Sequence, residues 1–220
     1  MLLDVSQPIH SGMPKAAPLA EVRVEPNLRI SDGAQLDTSE LTIPSHAATH
    51  IDAPSHAIAG GATIDHIPAD RFLGPAVVSA IRRKPGELIG VSDVLDGGPA
   101  LKAGDMLFLD TGWGAKFFDR SYYDHPSLDP ELAQWLVDTG VKLLAVDFIT
   151  PDLPHARRED GFDYPVHKIL LGNEVLIAEN LADLSTFSGQ RVFAYAFPLI
   201  VRGGDAGHAR IVLTDDVPAA

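Results

Sequence analysis

Six short apolar runs, at 76–81, 106–109, 143–146, 175–178, 192–197 and 211–213, most strongly limit how this chain can fold. Most are rich in β-branched or aromatic side chains, which suits strands. Lys84-Pro85-Gly86, Gly97-Gly98-Pro99 and Gly203-Gly204-Asp205 supply turns between them. Two segments read as helices. Asp129-Pro130-Glu131 offers an N-cap, a proline at the first helical position and a first-turn acid, and Gly140 fits the stop. The second helix runs from Pro165 to Leu171, closes on Gly172 and carries His167 in its first turn. The expected fold is α/β (α+β), with more strand than helix and no clean βαβ alternation. Neither a repeat nor a linker divides it, so residues 1–220 are expected to form a single domain. The polar stretch 151–164 lacks periodicity and reads as a long loop of the kind that often serves a site.

Composition narrows the function. With 220 residues, the chain can bury enough surface to fold without staples. It has no cysteine, which excludes disulfides, thiolate metal sites and cysteine nucleophiles. Thirty acidic residues against 17 Lys and Arg give a net charge of −13, which disfavours nucleic acid and anionic membranes as partners. No apolar stretch is long enough to span a bilayer, and Met1-Leu2-Leu3-Asp4 does not read as a signal peptide. Cytoplasmic residence is the resulting expectation.

The segment Pro44-Ser45-His46-Ala47-Ala48-Thr49-His50-Ile51-Asp52-Ala53-Pro54-Ser55-His56 concentrates three histidines and an aspartate among small or aliphatic residues. Imidazole with carboxylate suits Zn, Mn or Fe. A straight strand would place the Cα atoms of His46 and His50 about 13 Å apart, the limit for sharing an ion. A helix would bring them to about 6 Å but swing Asp52 about 200° away from His50. The segment is therefore bent, or it serves two adjacent ions. Asp147, His167 and Glu179-Asn180 lie at the ends of apparent elements, although spacing alone does not join them to His46. His10, His66 and His125 lack ligand partners in sequence and read as solvated or packed; His155 and His208 are candidate substrate contacts. No Gly-x-Ser-x-Gly elbow, Gly-x-Gly-x-x-Gly or phosphate loop is present, which disfavours a serine nucleophile or a nucleotide cofactor.

His46-Ala47-Ala48-Thr49-His50-Ile51-Asp52-Ala53-Pro54-Ser55-His56 resembles the signature of the cyclase-like metal-dependent hydrolases, which include bacterial kynurenine formamidase and isatin hydrolase. Every signature position is filled; Ala48 stands where glycine is usual. Segments 4–14, 72–78, 104–113 and 165–181 extend the similarity. The resemblance implies a barrel-like mixed β-sheet flanked by helices, assembled as a homodimer or homotetramer. It implies His46, His50, Asp52, His167 and Glu179 as ligands of two divalent ions, Zn or Mn, with Asp52 bridging and His56 as acid/base. Isatin-hydrolase-like members resemble a one-metal version with Gln at the position of Glu179. Asp205-Ala206-Gly207-His208 replaces the usual Asp-Gly-Ser-Pro, and His10-Ser11-Gly12-Met13-Pro14 replaces a Trp-Pro-Gly-Asp segment. These departures leave the substrate open.

The expected activity is hydrolysis of a small amide, formamide or lactam, of the arylformamidase kind. A divalent ion lowers the pKa of water from 15.7 toward about 7. A one-metal lactam or lactone hydrolase and a non-catalytic metal-binding protein of the same fold are the alternatives.

Overall fold

The computed structural model describes residues 1–216. In chain order its strands and helices are β1 (Leu2–Asp4), β2 (Arg23–Leu28), β3 (Thr38–Thr42), β4 (His50–Asp52), β5 (Leu73–Ala80), β6 (Leu88–Ile89), α1 (Val91–Gly97), β7 (Met106–Asp110), β8 (Ser127–Leu128), α2 (Pro130–Thr139), β9 (Leu143–Val146), α3 (Pro165–Gly172), β10 (Leu176–Glu179), β11 (Gln190–Pro198) and β12 (Ala206–Thr214). All six apolar runs form strands. β7, β9 and β10 are buried at every position, as expected of parallel strands covered on both faces.

The central strands correct one sequence expectation. β5, β7, β9 and β10 are consecutive parallel neighbours, and α1, α2 and α3 lie in the three connections. This is βαβ alternation. It was hidden because α1 has only seven residues and begins after a glycine, so Val91, Val94 and Leu95 give barely one turn of apolar periodicity. α2 follows its sequence signals: Asp129 Oδ1 accepts from Glu131 N at 2.9 Å, and Gly140 ends the helix at φ 78°.

β11 and β12 extend the sheet antiparallel, and β4 pairs with both β12 and β10. β4 thereby closes a seven-stranded mixed barrel. β1 continues along β12 beyond β4, while β2–β3 and β6–β8 are separate two-stranded ribbons. The barrel interior is filled by Ile51, Val78, Phe108, Leu143, Leu176, Ala194 and Ile211 among others, so it is a packed core. The alternate residues Leu107, Leu109, Leu144, Val146 and Ile177 face outward and pack with Val94, Leu132, Leu136 and Leu170 of the helices. No helix among the described residues is long and apolar enough to cross a membrane.

Candidate metal centre

Strand parity fixes the location of the centre. Ile51 points into the barrel, so its neighbours His50 and Asp52 point outward. Cross-strand pairing puts Glu179 beside His50 and the outward-facing Ile177 beside Asp52. α3 then brings His167 over the same patch. The candidate centre therefore lies on the outer face of the barrel seam, beneath α3. The bend that ligand distances demanded is present: His46 sits in a turn before β4, and His56 ends the 3-10 turn Pro54–His56 after it.

His50, Asp52, His167 and Glu179 are all buried. His50 Nε2 lies 3.2 Å from Asp52 Oδ1 and 3.4 Å from Glu179 Oε2. His167 Nε2 lies 3.3 Å from Glu179 Oε1 and 3.6 Å from Asp52 Oδ2. Most of these separations are long for hydrogen bonds, and His50 Nε2, Asp52 Oδ2 and Glu179 Oε1 have no hydrogen-bond partner. Two donors each about 2.1 Å from one ion at the tetrahedral angle would sit about 3.4 Å apart, so the spacing fits ligands around a cation. Ligand atoms of His46, His50 and Asp52 also lie within 4.8 Å of one another, as do those of Asp52, His56 and His167 and of His46, His56 and Asp205.

The charges point the same way. Glu179 is raised above its ordinary pKa by burial and by the charge of Asp52. For Asp52 burial acts upward, but the charge of His50, the close His167 imidazole and the hydrogen bond from His46 hold it well below the usual carboxylate range. Burial opposes protonation of His46, yet its bond to Asp52 and that carboxylate's charge lift it to about 9. Its Nδ1 donates to Asp52 Oδ1 at 2.8 Å and its Nε2 to Asp205 Oδ2 at 3.0 Å. Two buried carboxylates in one patch are compensated here by imidazolium, a role a metal ion would take over.

Carbonyls and carboxylates behind the ligands orient them. Ala48 is left-handed at φ 57°, and its carbonyl accepts from His50 Nδ1 at 2.9 Å, which leaves Nε2 to face the cluster. Glycine adopts this backbone conformation without the strain that a Cβ brings. Asp152 accepts from Val166 N and His167 N, both at 3.1 Å, and from His167 Nδ1 at 2.6 Å. It caps α3, whose own N-cap residue Tyr164 makes no capping bond, and fixes the His167 ring in one step. His208, paired across the strands with His50, bonds the Pro44 carbonyl through Nε2 at 3.0 Å. It steadies the turn carrying His46 and is not among the residues lining the cavity described below. Asp147 is also remote in role: it accepts from Thr111 N and Trp113 N and so holds the 111–114 turn, while burial raises its pKa to about 7.

A cavity of about 550 Å³ opens beside the cluster, lined by His46, His56, His167 and Glu179 at one end. Ile149, Tyr123, Tyr164 and Leu19 supply much of its apolar wall. The loop at 151–164 contributes His155, Ala156, Arg158 and Tyr164, so this stretch does border the site. His125 is packed, stacked on Phe148 at 5.2 Å, but also reaches the cavity wall.

The structure therefore brings His46, His50, Asp52, His56, His167 and Glu179 together from positions 46 to 179 of the chain. Asp152 escaped sequence reasoning because no spacing marks it, and Ala48 stood out in the sequence only as a departure from the signature glycine. Asp205 had a signal, its place in the departing Asp205-Ala206-Gly207-His208 segment.

The chain is thus a closed mixed α/β barrel with a histidine–carboxylate cluster on its outer seam that could hold a metal ion. The family model described as "Putative cyclase" matches residues 3–153, and the chain belongs to that family. A kynurenine formamidase from Erythrobacter litoralis is 28% identical over 212 residues, covering 96% of this chain and 93% of that protein. A solved structure titled as a potential metal-dependent hydrolase with cyclase activity has a TM-score of 0.79 at 27% identity, covering 99% of both chains. Isatin hydrolase A from Ralstonia solanacearum shares the fold, with a TM-score of 0.83 at 21% identity over 97% of this chain and 91% of that one.

Proposed function

We propose that this chain is a hydrolase of small aryl formamides or related amides that works with two divalent ions, Zn or Mn. The observation that carries the reading is the unpartnered buried set His50 Nε2, Asp52 Oδ2 and Glu179 Oε1 at the end of a cavity. The formamidase relatives support the substrate class, and the neighbour titled as a metal-dependent hydrolase supports the metal. His46, His50 and Asp52 would hold one ion, and Asp52, His167 and Glu179 the other. When bound, the ions supply Lewis acidity for the scissile carbonyl and for water.

The protein's own groups do the rest. His56 borders the cavity, and its ring lies 3.9 Å from that of His46 and 5.5 Å from that of His167. Burial, reinforced by His46 and His167 against the pull of Asp52, draws its pKa to about 4, so it is neutral at pH 7. A neutral imidazole accepts the proton that water loses as its oxygen adds to the acyl carbon. It then passes that proton to the departing nitrogen as the C–N bond breaks. The apolar wall receives the aryl group. Assembly as a homodimer or homotetramer belongs to the same reading, supported by the exposed Leu28, Ile30, Leu36 and Leu41 on and between β2 and β3, and cytoplasmic residence is proposed with it.

Formanilide turnover, abolished by chelator and restored by Zn or Mn, tests the activity. Elemental analysis tests the ion count, with close to two per chain expected, falling toward one in Glu179→Gln. A single ion in the unaltered protein would refute the two-ion assignment.

A further inference from the structure

Two adjacent arginines in the loop at 151–164 have different fates. Arg157 pairs with Asp124 through Nε at 2.7 Å and Nη2 at 3.1 Å. Arg158 lines the cavity, and its partners are neutral. Its Nε donates to the Leu153 carbonyl at 2.8 Å and its Nη1 to the Tyr164 hydroxyl at 3.1 Å. The guanidinium carbon stands 4.7 Å from the ring centre of Tyr164 and 5.3 Å from that of Phe162. Among the described residues no carboxylate lies within ion-pair distance of Arg158, although the chain has 30 acidic residues. Lys168, the other Lys or Arg side chain on the wall, is engaged by Asp163.

Two hydrogen bonds and two aromatic faces hold this guanidinium in place, so little side-chain freedom remains to be lost on binding. Two of its five N–H groups are used, leaving one on Nη1 and both on Nη2. That edge matches the paired oxygens of a carboxylate or sulfonate. Tyr164 is itself held left-handed at φ 50°, and its ring meets His167 edge-on at 6.2 Å. This uncommon backbone geometry sets Tyr164 between Arg158 and a candidate metal ligand, as strain at a functional site would.

We propose that Arg158 is a specificity-determining residue that takes an anionic substituent on the substrate, remote from the bond being hydrolysed. The substrate class becomes an aryl amide bearing a carboxylate or a similar anion, its ring against the apolar wall and its amide toward His56. This assignment rests on the hydrolase reading above.

The test compares kcat/KM for formanilide and its ring-carboxylated isomers in the metal-loaded protein. The carboxylated substrate with the best reach should be favoured by about tenfold to a hundredfold. Arg158→Met should bring that ratio close to one, while Arg158→Lys, which keeps the charge, should retain part of it. A ratio unchanged in Arg158→Met, or a ratio of one or below in the unaltered protein, overturns the proposal. Calorimetric binding of benzenesulfonate to the metal-loaded protein separates it from the hydrolase reading. Binding weakened about tenfold or more in Arg158→Met upholds the anion site even if no formamide is cleaved; binding equal in the two proteins refutes it.

Discussion

Replacing Asp152 with Asn tests whether one buried carboxylate both caps α3 and sets the tautomer of His167. In the native arrangement Oδ1 accepts from Val166 N, and Oδ2 accepts from His167 N and Nδ1. Asparagine keeps one oxygen and replaces the other with an NH₂ group. If the NH₂ faces His167, the ring must accept at Nδ1 and carry its proton on Nε2, the atom directed at Asp52 and Glu179. If it faces Val166, a backbone donor at the start of α3 meets another donor. Either choice also removes a negative charge from the helix N-terminus, a loss of about 1 kcal/mol in stability. Removing such an outer-shell partner typically costs 10- to 100-fold in metal affinity, or about 1.4–2.7 kcal/mol. Chelator competition should show one ion weakened by that factor and the other, which His46 and His50 would hold, nearly unchanged. Thermal melting would show a small decrease in the ion-free protein. Native metal affinity in Asp152→Asn would refute the tautomer argument, and loss of both ions together with cooperative folding would make Asp152 a structural residue.

His56→Ala should keep its ions by elemental analysis while turnover falls by a factor of about 10² to 10⁴; loss of an ion would make His56 a ligand. His125 is buried, and burial holds its pKa near 4 against 6.5 for the free side chain. Between these values the unfolded chain binds the extra proton, so stability falls as pH drops from 6.5 to 4, by about 3 kcal/mol. Urea titrations at pH 7 and pH 4 should show that loss shrinking in His125→Gln. A Cβ at Gly61 would stand 2.7 Å from the Pro54 carbonyl carbon and 2.9 Å from Ser55 N, so Gly61→Ala must displace the turn carrying His56. Turnover should fall with the ion count intact, and unchanged kinetics would show that the turn tolerates the shift.

The sequence revealed different parts of the molecule unequally. β7, β9 and β11 were legible because burial makes their residues apolar, and α2 because Asp129, Pro130 and Gly140 mark its ends. β4 gave no such signal: it has three residues, two of them polar, and is a strand because β10 and β12 flank it. Barrel closure was therefore accessible only through family resemblance. The same holds for the distant ligands, since nothing local to His167 or Glu179 states that β4 lies beside them. Asp152 and Arg158 were invisible for a further reason. They act from an irregular loop, where position depends on the packing of 151–164 and not on any repeating pattern.

The seam strand β4 would couple ion binding to closure of the barrel. His50 and Asp52 belong to the three residues that join β10 to β12, segments more than a hundred residues away along the chain. Contacts of such long range form only after much of the chain is ordered, so the donor set is assembled as the ring of strands shuts. An ion that binds the shut ring and not the open chain must stabilise the shut ring by mass action, by about 2.7 kcal/mol at a hundredfold excess over its dissociation constant. The ion would act as a clasp: withdrawing it would loosen β4 first, the short strand that closes the barrel, and leave an open sheet.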